Sequence, residues 1–245
     1  MDGHVSLAGR TALIVGGTGG VGRTVALALA RVRATVIVHG GHDRQKGERV
    51  IEQIDREGGA ARLMMQELRS LHDSALLAES AAEVDVLVCA FGPFLRTPLE
   101  KTDAAQWQSV VDLNLVLPGV LVSAALPGMI ERGFGRIILF GGTGTDTMRG
   151  YTTVAAYSAA KVGLGVIAKS VARSYAGRNV TCNVLTLGYV DTEYVTERDR
   201  TAWSARSRTG ALQSTDGIAD FAAQLVCSES GIPNGAVIDL SAGMI

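Results

Sequence analysis

Short apolar runs alternate with segments of helical periodicity along the whole sequence, and this alternation restricts the fold more than any other feature. Most of the runs are continuously apolar, which is typical of strands buried on both faces of a sheet. We predict seven strands at Thr11–Val15, Thr35–His39, Arg62–Met65, Val84–Cys89, Arg136–Phe140, Val180–Leu185 and Ala236–Leu240. We predict helices at Gly20–Arg33, Gln45–Arg56, Ser74–Glu83, Asp103–Arg132, Ala155–Tyr175 and Asp216–Ser228. This order predicts an α/β fold, a doubly wound parallel sheet with helices on both faces.

The composition is that of a folded chain without a strongly charged surface. Hydrophobic residues make up 47% and charged residues 19% of the 245 residues, which argues against disorder. No Pro- or Ser-rich linker and no repeat interrupts the sequence, so we expect residues 1–245 to form a single domain. The net charge is −1, which does not suggest a nucleic-acid partner. We interpret the one basic cluster as a solvated loop; it comprises Arg198, Arg200, Arg206 and Arg208.

Other classes of protein are disfavoured by the cysteines and by the apolar segments. Cys89, Cys182 and Cys227 are odd in number and widely spaced, so we expect neither a disulfide framework nor a metal site. Reduced thiols are typical of a cytoplasmic protein. The first ten residues carry no apolar segment of the kind found in a secretory signal. The longest apolar stretch, Leu113–Met129, is interrupted by an asparagine and two prolines, so we expect no membrane span.

A glycine-rich segment joins the first predicted strand to the first predicted helix. Backbone N–H groups in such a loop can approach a pyrophosphate at the N-terminus of the helix, where the helix dipole favours negative charge. Glycines are needed because a Cβ atom would block that approach. The alternative is a flexible turn without a ligand. We expect a dinucleotide to be bound here, by Gly16, Thr18, Gly20, Val21 and Gly22.

Tyr157 and Lys161 are four residues apart at the start of a predicted helix, so their side chains share one face. A phenol is a weak acid–base catalyst at neutral pH, and a nearby cation lowers its pKa. The pair is therefore suited to proton transfer. The alternative is a tyrosine and a lysine that are neighbours by chance.

Several motifs in order resemble the short-chain dehydrogenase/reductase family, which has a Rossmann-type fold and uses NAD(P). The spacing of the glycines is similar to the family's TGxxxGxG, and YSAAK matches its YxxxK motif. The segment VVDLNLVLPGVLVSAALPGMIERGFGRIIL resembles the family's central region, and GIPNGAVIDLSAGM resembles its C-terminal strand and turn. VTCNVLTLGYVDT is similar to its RVNxxxPGxVxT, with Leu187 in place of the proline. The resemblance covers essentially the whole chain.

The resemblance implies a ketoreductase-like mechanism in which hydride passes between nicotinamide C4 and a substrate carbonyl or alcohol carbon. Tyr157 would give or take the hydroxyl proton, Lys161 would bind the nicotinamide ribose and lower the pKa of Tyr157, and Asn114 would hold a water beside Lys161. Val190 and Thr192 would contact the carboxamide.

The resemblance also indicates where the rest of the cofactor lies. Residues 67 and 68 match the pair that contacts adenine, and residues 90 to 92 follow the fourth strand; these are Glu67, Leu68, Ala90, Phe91 and Gly92. NAD-specific members carry an acid at the end of the second strand, where this chain has Gly40. Glycine leaves room for a 2′-phosphate, and His42 and Arg44 (or Lys46) follow it. We therefore favour NADP(H), with NAD(H) as the alternative.

The sequence departs from the family in places that bear on the substrate. The family's substrate-binding serine is replaced by Gly142. The family's NNAG sequence after the fourth strand is replaced by residues 89–92, which begin with Cys89. The segment from Thr192 to Thr209, where the family carries its substrate lid, is short. We predict that Thr143 takes the role of the serine; the alternatives are Thr145 or neither hydroxyl.

We expect a carbonyl reductase or alcohol dehydrogenase that acts on a small molecule. The alternative is a dinucleotide-binding sensor without turnover, and Val154 disfavours an enoyl reductase, which has a tyrosine there. An apolar substrate pocket would be lined from the set Phe94, Leu95, Met148, Tyr151, Tyr189, Tyr194 and Trp203. Members of the family form homo-oligomers through the two long helices, so we expect a tetramer or dimer.

Overall fold

Seven parallel strands form one sheet in the order β3-β2-β1-β4-β5-β6-β7. The structure is a computed structural model and describes residues 6–243. The strands are β1 (Thr11–Val15), β2 (Thr35–Gly40), β3 (Ala60–Met65), β4 (Val86–Cys89), β5 (Gly135–Phe140), β6 (Val180–Leu187) and β7 (Val237–Leu240). The predicted parallel sheet is therefore confirmed, with each strand within two residues of its expected limits.

Eight α-helices connect or follow these strands in the described part of the chain. They are α1 (Gly20–Arg31), α2 (Arg44–Arg56), α3 (Ala75–Ala82), α4 (Ala104–Val111), α5 (Leu117–Arg132), α6 (Ala155–Tyr175), α7 (Glu197–Ser204) and α8 (Thr215–Cys227). Short 3₁₀ turns lie at Leu71–Ser74, Leu99–Lys101 and Ala176–Arg178.

The sheet separates two apolar cores because side chains alternate along each strand. On β1, Ile14 belongs to the core under α1, α2 and α8, whereas Leu13 belongs to the core under α3, α5 and α6. Both side chains are fully buried. Burial on both faces explains why the strands read as continuous apolar runs rather than as alternating ones.

The strand order reverses direction between β1 and β4, which pair side by side at the middle of the sheet. Helix α1 follows β1, the loop after β4 lies beside the glycine-rich segment, and a crevice opens above the carboxyl ends of these strands. Ligands of doubly wound sheets bind at such a switch point. The fold therefore brings the glycine-rich segment, which follows β1, to the expected place.

One predicted helix is interrupted. The segment Asp103–Arg132 was expected to be a single helix, but a π-helical turn at Asp112–Val116 separates α4 from α5. Asp103 caps α4 with a reciprocal bond to Gln106, which explains why the helix begins where the sequence indicated. Insertions of this type are frequent at functional sites, and this one carries Asn114.

The basic cluster is not wholly a loop as expected. Arg198 and Arg200 lie on α7, where the hydroxyl of Thr196 accepts a hydrogen bond from the Asp199 N–H and caps the helix. Arg200 pairs with Asp191, with 2.5 Å between Nη1 and Oδ1. Part of the cluster is thus an ion-paired element that fixes the segment after β6.

The stretch Ala104–Arg132 is long and apolar enough to cross a membrane by length and composition alone. Within the fold its α5 portion packs on the sheet, and Leu117, Leu121 and Met129 are fully buried in the core. The apolar character of this stretch is therefore explained by packing against β4 and β5.

Candidate active site

A cleft of about 550 Å³ lies above the carboxyl ends of β1, β2, β4 and β5. Most of the residues that the sequence assigned to a cofactor line it: Gly16, Thr18, Gly20, Val21, Gly40, His42, Leu68, Ala90, Phe91, Gly92, Tyr157, Lys161 and Thr192. They come from six separate parts of the sequence. The cleft runs from the glycine-rich segment at one end to Tyr157 at the other.

Four predicted cofactor residues lie outside the lining of the cleft. Gly22 is buried in α1, and Val190 forms a β-bridge with Gln213. The other two are exposed and form ion pairs with neighbouring residues: Arg44 lies 3.7 Å from Glu48, and Glu67 lies 2.6 Å from Arg69. The four residues outside the lining are thus Gly22, Arg44, Glu67 and Val190. Their direct contact with a cofactor stays a prediction.

The glycine-rich segment is held close to the neighbouring backbone. Gly16 has φ of +79°, and a Cβ on it would lie 3.0 Å from the Ala90 carbonyl oxygen. A Cβ on Gly22 would collide with the carbonyl group of Gly16. Glycine is therefore required at both positions, one for conformation and one for the close approach of α1 to the loop.

His39 on β2 supports this loop through a hydrogen bond, a role that no motif in the sequence indicates. Its Nδ1 accepts a hydrogen bond from the Gly16 N–H at 3.3 Å, and its Nε2–H donates to the Gln66 carbonyl at 2.9 Å. Both bonds require the neutral ring, and burial lowers the pKa of His39. The only sequence signal was its place beside Gly40 at the end of β2.

Two further residues lie on the glycine loop although they are distant in sequence. Both carboxylate oxygens of Glu193 accept a hydrogen bond from the Gly20 N–H, at 3.2 and 3.1 Å. The ring of Tyr194 lies beside Gly19 and Gly20. An anionic group thus already lies where the sequence predicts that a pyrophosphate binds.

The end of β2 and the start of α2 contribute Gly40, Asp43 and Lys46 to the cleft. A Cβ on Gly40 would crowd the side chain of Thr18, so a larger residue is excluded unless Thr18 moves. Lys46 lines the cleft, whereas Arg44 does not line it. The Lys46 Nζ lies 5.0 Å from the centre of the Tyr194 ring. Lys46 and His42 are the basic residues that line this part of the cleft, and the acidic Asp43, which caps α2, lies between them in sequence and also lines it.

Tyr157 and Lys161 lie one turn apart in the first half of α6, as the spacing predicted. Lys161 is buried, its ammonium donates to the Phe140 carbonyl at 2.9 Å, and it lies 5.7 Å from the centre of the Tyr157 ring. Burial lowers the pKa of Lys161 to about 8. The pKa of Tyr157 is raised to about 12 by its burial, opposite to the lowering that we expected. Desolvation outweighs the cation here, because the ammonium is directed at a carbonyl group instead of the phenol.

Asn114 is completely buried in the π-helical turn behind this pair. Its amide donates to the carbonyls of Pro93 and Val110, at 2.9 and 3.0 Å, which fixes the orientation of the side chain. The Oδ1 atom has no hydrogen-bond partner among the described residues. A buried acceptor of this kind is costly unless a further donor reaches it.

Gly142 is the residue that faces Tyr157. A Cβ on Gly142 would lie 2.8 Å from Cε1 and 3.3 Å from the hydroxyl oxygen of Tyr157. The Thr145 hydroxyl is engaged in a tight turn with the N–H and the carbonyl of Gly142, both at 2.9 Å. Thr143 is half-buried and lies outside the cleft lining.

The predicted pocket residues divide into two groups. Phe94 packs edge-on against Tyr157 with ring centres 5.0 Å apart, and Tyr194 lines the cleft. Tyr189 and Trp203 stack on each other with ring centres 5.0 Å apart, and Met148 is 92% exposed.

Further cleft residues were not recognised as site residues in the sequence: Gly19, His39, Gly41, Asp43, Gln66, Phe140, Gly141 and Leu187. Within residues 6–243 no group of three His, Cys, Asp or Glu side chains is placed to hold a metal.

Comparison with known proteins gives concordant matches over nearly the whole chain. The family profile described as short chain dehydrogenase matches residues 10–203. An acetoacetyl-CoA reductase from Allochromatium vinosum is 29% identical over 243 residues, which cover 96% of this chain and 98% of the relative.

Solved structures match equally well. A 3-oxoacyl (acyl-carrier-protein) reductase from Agrobacterium tumefaciens C58 with NADP bound is 30% identical, with a TM-score of 0.88 and coverage of 98% of this chain and 95% of that chain. The angucycline C-6 ketoreductase LanV with bound NADP is 27% identical, with a TM-score of 0.90 and coverage of 98% and 96%.

Proposed function

The chain belongs to the short chain dehydrogenase family, and from that premise we propose that it is an NADP(H)-dependent reductase of a small-molecule carbonyl with Tyr157 as its proton donor. The observation that carries the proposal is the joint placement of Tyr157 and Lys161 at one end of a cleft whose other end is the glycine loop. The relatives are oxidoreductases, and nothing in the comparisons favours the alternative of a sensor without turnover.

The residues of the cleft fit a dinucleotide phosphate. The glycine loop offers the Gly20 N–H, which holds a carboxylate in this structure and so accepts an anion. The basic Lys46 and the lack of an acid at Gly40 suit a 2′-phosphate, and Leu68 offers an apolar surface for adenine. When bound, the nicotinamide supplies or accepts the hydride.

Tyr157 acts as the acid in the direction of reduction. Because the pKa of its hydroxyl is about 12, the phenol is protonated at neutral pH and has a proton to give to the carbonyl oxygen. Its ring is held between Phe94 and Gly142, so the hydroxyl stays at the mouth of the cleft.

Lys161 and Asn114 support this proton transfer. With the cofactor bound, the Lys161 ammonium would hold the nicotinamide ribose, and its charge beside the Tyr157 ring would stabilise the phenolate that forms. The unpartnered Oδ1 of Asn114 supplies an acceptor for a water that returns the proton from solvent.

The test is an assay of carbonyl substrates with NADPH and with NADH, using Tyr157→Phe as the comparison. The panel contains a β-ketoacyl thioester, a cyclic ketone and a simple ketone. On the best substrate we expect the Phe variant to lose about 10²–10⁴-fold in kcat, since this is the usual contribution of general acid catalysis. NADPH affinity should change only a few-fold. Near-normal turnover by the Phe variant would overturn the assignment of Tyr157.

We also propose that the chain forms a homo-oligomer through α5 and α6. An open apolar groove runs between these helices, and Val166, Val120 and Val116 are 67%, 39% and 37% exposed there. Exposed apolar side chains in a row favour an interface over a free surface. Light scattering of Val166→Glu should show a smaller assembly than the unmodified chain. A cytoplasmic location remains a prediction.

A further inference from the structure

We propose that Glu193 is a built-in competitor for the pyrophosphate site, carried on a strap that closes over the glycine loop before the cofactor binds. The strap is the segment Asp191–Thr196 between β6 and α7. The proposal rests on the proposed function only in that it takes the glycine loop to be the place where NADP(H) binds.

The contact at the tip of the strap joins an acid to the site of an anion. The Gly20 N–H is the first of α1, a helix of twelve residues, and it donates to both carboxylate oxygens of Glu193. Unpaired N–H groups at this end of a helix attract negative charge. A carboxylate and a phosphate group cannot both take this donor, so the two ligands exclude each other.

Tyr194 extends the coverage beyond a single hydrogen bond. Its hydroxyl lies over Gly19, where it would meet any Cβ, and its ring lies against Gly20. The ammonium of Lys46 lies 5.0 Å from the centre of the ring, which adds a cation–π contact. The strap therefore also engages the basic residue placed for the 2′-phosphate.

The base of the strap is folded, which holds the tip in place. The Asp191 carboxylate pairs with Arg200 at 2.5 Å, and the Asp191 N–H donates to the Gln213 carbonyl at 2.8 Å. Tyr189 stacks on Trp203 of α7 just outside this base. A tip fixed by such contacts presents its carboxylate to Gly20 at a high effective concentration.

The consequence is that cofactor binding must open the strap. When only part of the population is open, the observed affinity is the intrinsic affinity reduced by the open fraction. Thr192, which lines the cleft next to Glu193, belongs to the same segment and lies beside Gly20, so opening also moves this part of the cleft wall.

Removal of the carboxylate tests this directly in the whole protein. We expect Glu193→Gln and Glu193→Ala to bind NADPH about three- to tenfold more tightly by titration calorimetry, the range that a charge at a helix N-terminus provides. Binding of adenosine 2′-monophosphate, which lacks the pyrophosphate, should change less, because Tyr194 and not Glu193 contacts Lys46. The control is Glu197→Gln, because Glu197 is 85% exposed and contacts Arg200 but not the loop.

A second measurement uses no cofactor. Hydrogen exchange of the peptide around Gly20 should be faster in Glu193→Ala than in the unmodified chain, since the amide loses its acceptor, and unchanged in Glu197→Gln. NADPH binding that is unchanged or weaker in both Glu193 variants would overturn the competitor and leave the proposed function intact. Failure of the unmodified chain and of every variant to bind NADPH would overturn both.

Discussion

The two ends of the cleft are built in different ways. The glycine loop is shaped by backbone, since Cβ atoms at Gly16 and Gly22 would meet carbonyl groups of Ala90 and Gly16. The loop between β5 and α6 is shaped by side chains, such as the Thr145 hydroxyl that closes a turn on Gly142. Where a loop is shaped by close backbone contacts, the glycines cannot be replaced by a residue with a side chain. Where a loop is shaped by side-chain hydrogen bonds, a different residue can supply the hydrogen-bonding group. The cofactor end therefore retains the spacing of the family, and the substrate end departs from it.

The largest effect is expected at the substrate end. Thr143→Val should lower kcat about 10²–10³-fold and leave NADPH affinity unchanged, if the Thr143 hydroxyl replaces the missing serine as a donor to the substrate oxygen. The matched control is Thr145→Val, whose hydroxyl is engaged with Gly142 and whose loss should lower stability more than kcat. Steady-state kinetics with a fixed excess of NADPH measure both. An unchanged kcat in Thr143→Val with a lowered kcat in Thr145→Val would move the role to Thr145, and an unchanged kcat in both would leave Tyr157 as the sole donor.

At the cofactor end the corresponding change acts on binding. In Gly22→Ala the new Cβ meets the Gly16 carbonyl, which cannot move without displacing the loop, so NADPH affinity should fall about 100-fold. In Gly142→Ala the new Cβ meets the Tyr157 ring instead, so kcat should fall while NADPH affinity stays within about threefold. Calorimetry and kinetics on the two variants compare the ends directly. Equal losses of NADPH affinity would remove the distinction.

A smaller effect is expected for the choice of cofactor. Lys46→Glu should lower the preference for NADPH over NADH about tenfold in kcat/KM, because a carboxylate at this place repels a 2′-phosphate. Arg44→Glu is the control, since Arg44 lies outside the cleft and pairs with Glu48. If Arg44→Glu shifted the preference as strongly as Lys46→Glu, the assignment of Lys46 would be wrong.

The smallest effect concerns His39, which supports the glycine loop through its hydrogen bond with the Gly16 N–H. Burial lowers the pKa of His39 below its ordinary 6.5, so below pH 6.5 the unfolded chain binds a proton more readily than the folded one. Folding stability should therefore fall as pH drops through this range, by about 1.4 kcal/mol per pH unit at most. Urea unfolding of His39→Gln at pH 7.5, 6.5 and 5.5 should show a weaker dependence on pH. The exposed His42 gives the control, and the same weakening in His42→Gln would contradict the interpretation.

The sequence predicted those parts of the molecule in which spacing determines position. Tyr157 and Lys161 share a helix face because they are four residues apart, and the glycines follow a strand directly. Glu193 and Gly20 are separated by 173 positions, so no local pattern could relate them. The same holds for the pKa of Tyr157, whose direction depends on where the Lys161 ammonium is placed by the fold.

The π-helical turn at Asp112–Val116 has a consequence for insertions and deletions in this part of the gene. A π-helical turn accommodates one residue more than an α-helix does, so deletion of a single residue between α4 and α5 would restore a regular helix. Each residue of an α-helix adds about 100° of rotation. The flanking helices would keep their rotation, because the π-helical turn already absorbs the extra residue. Loss of a second residue could not be absorbed and would rotate α5 against α4, which would turn the buried Leu117 away from its place. The length of this short segment is therefore as constrained as any single side chain in the cleft.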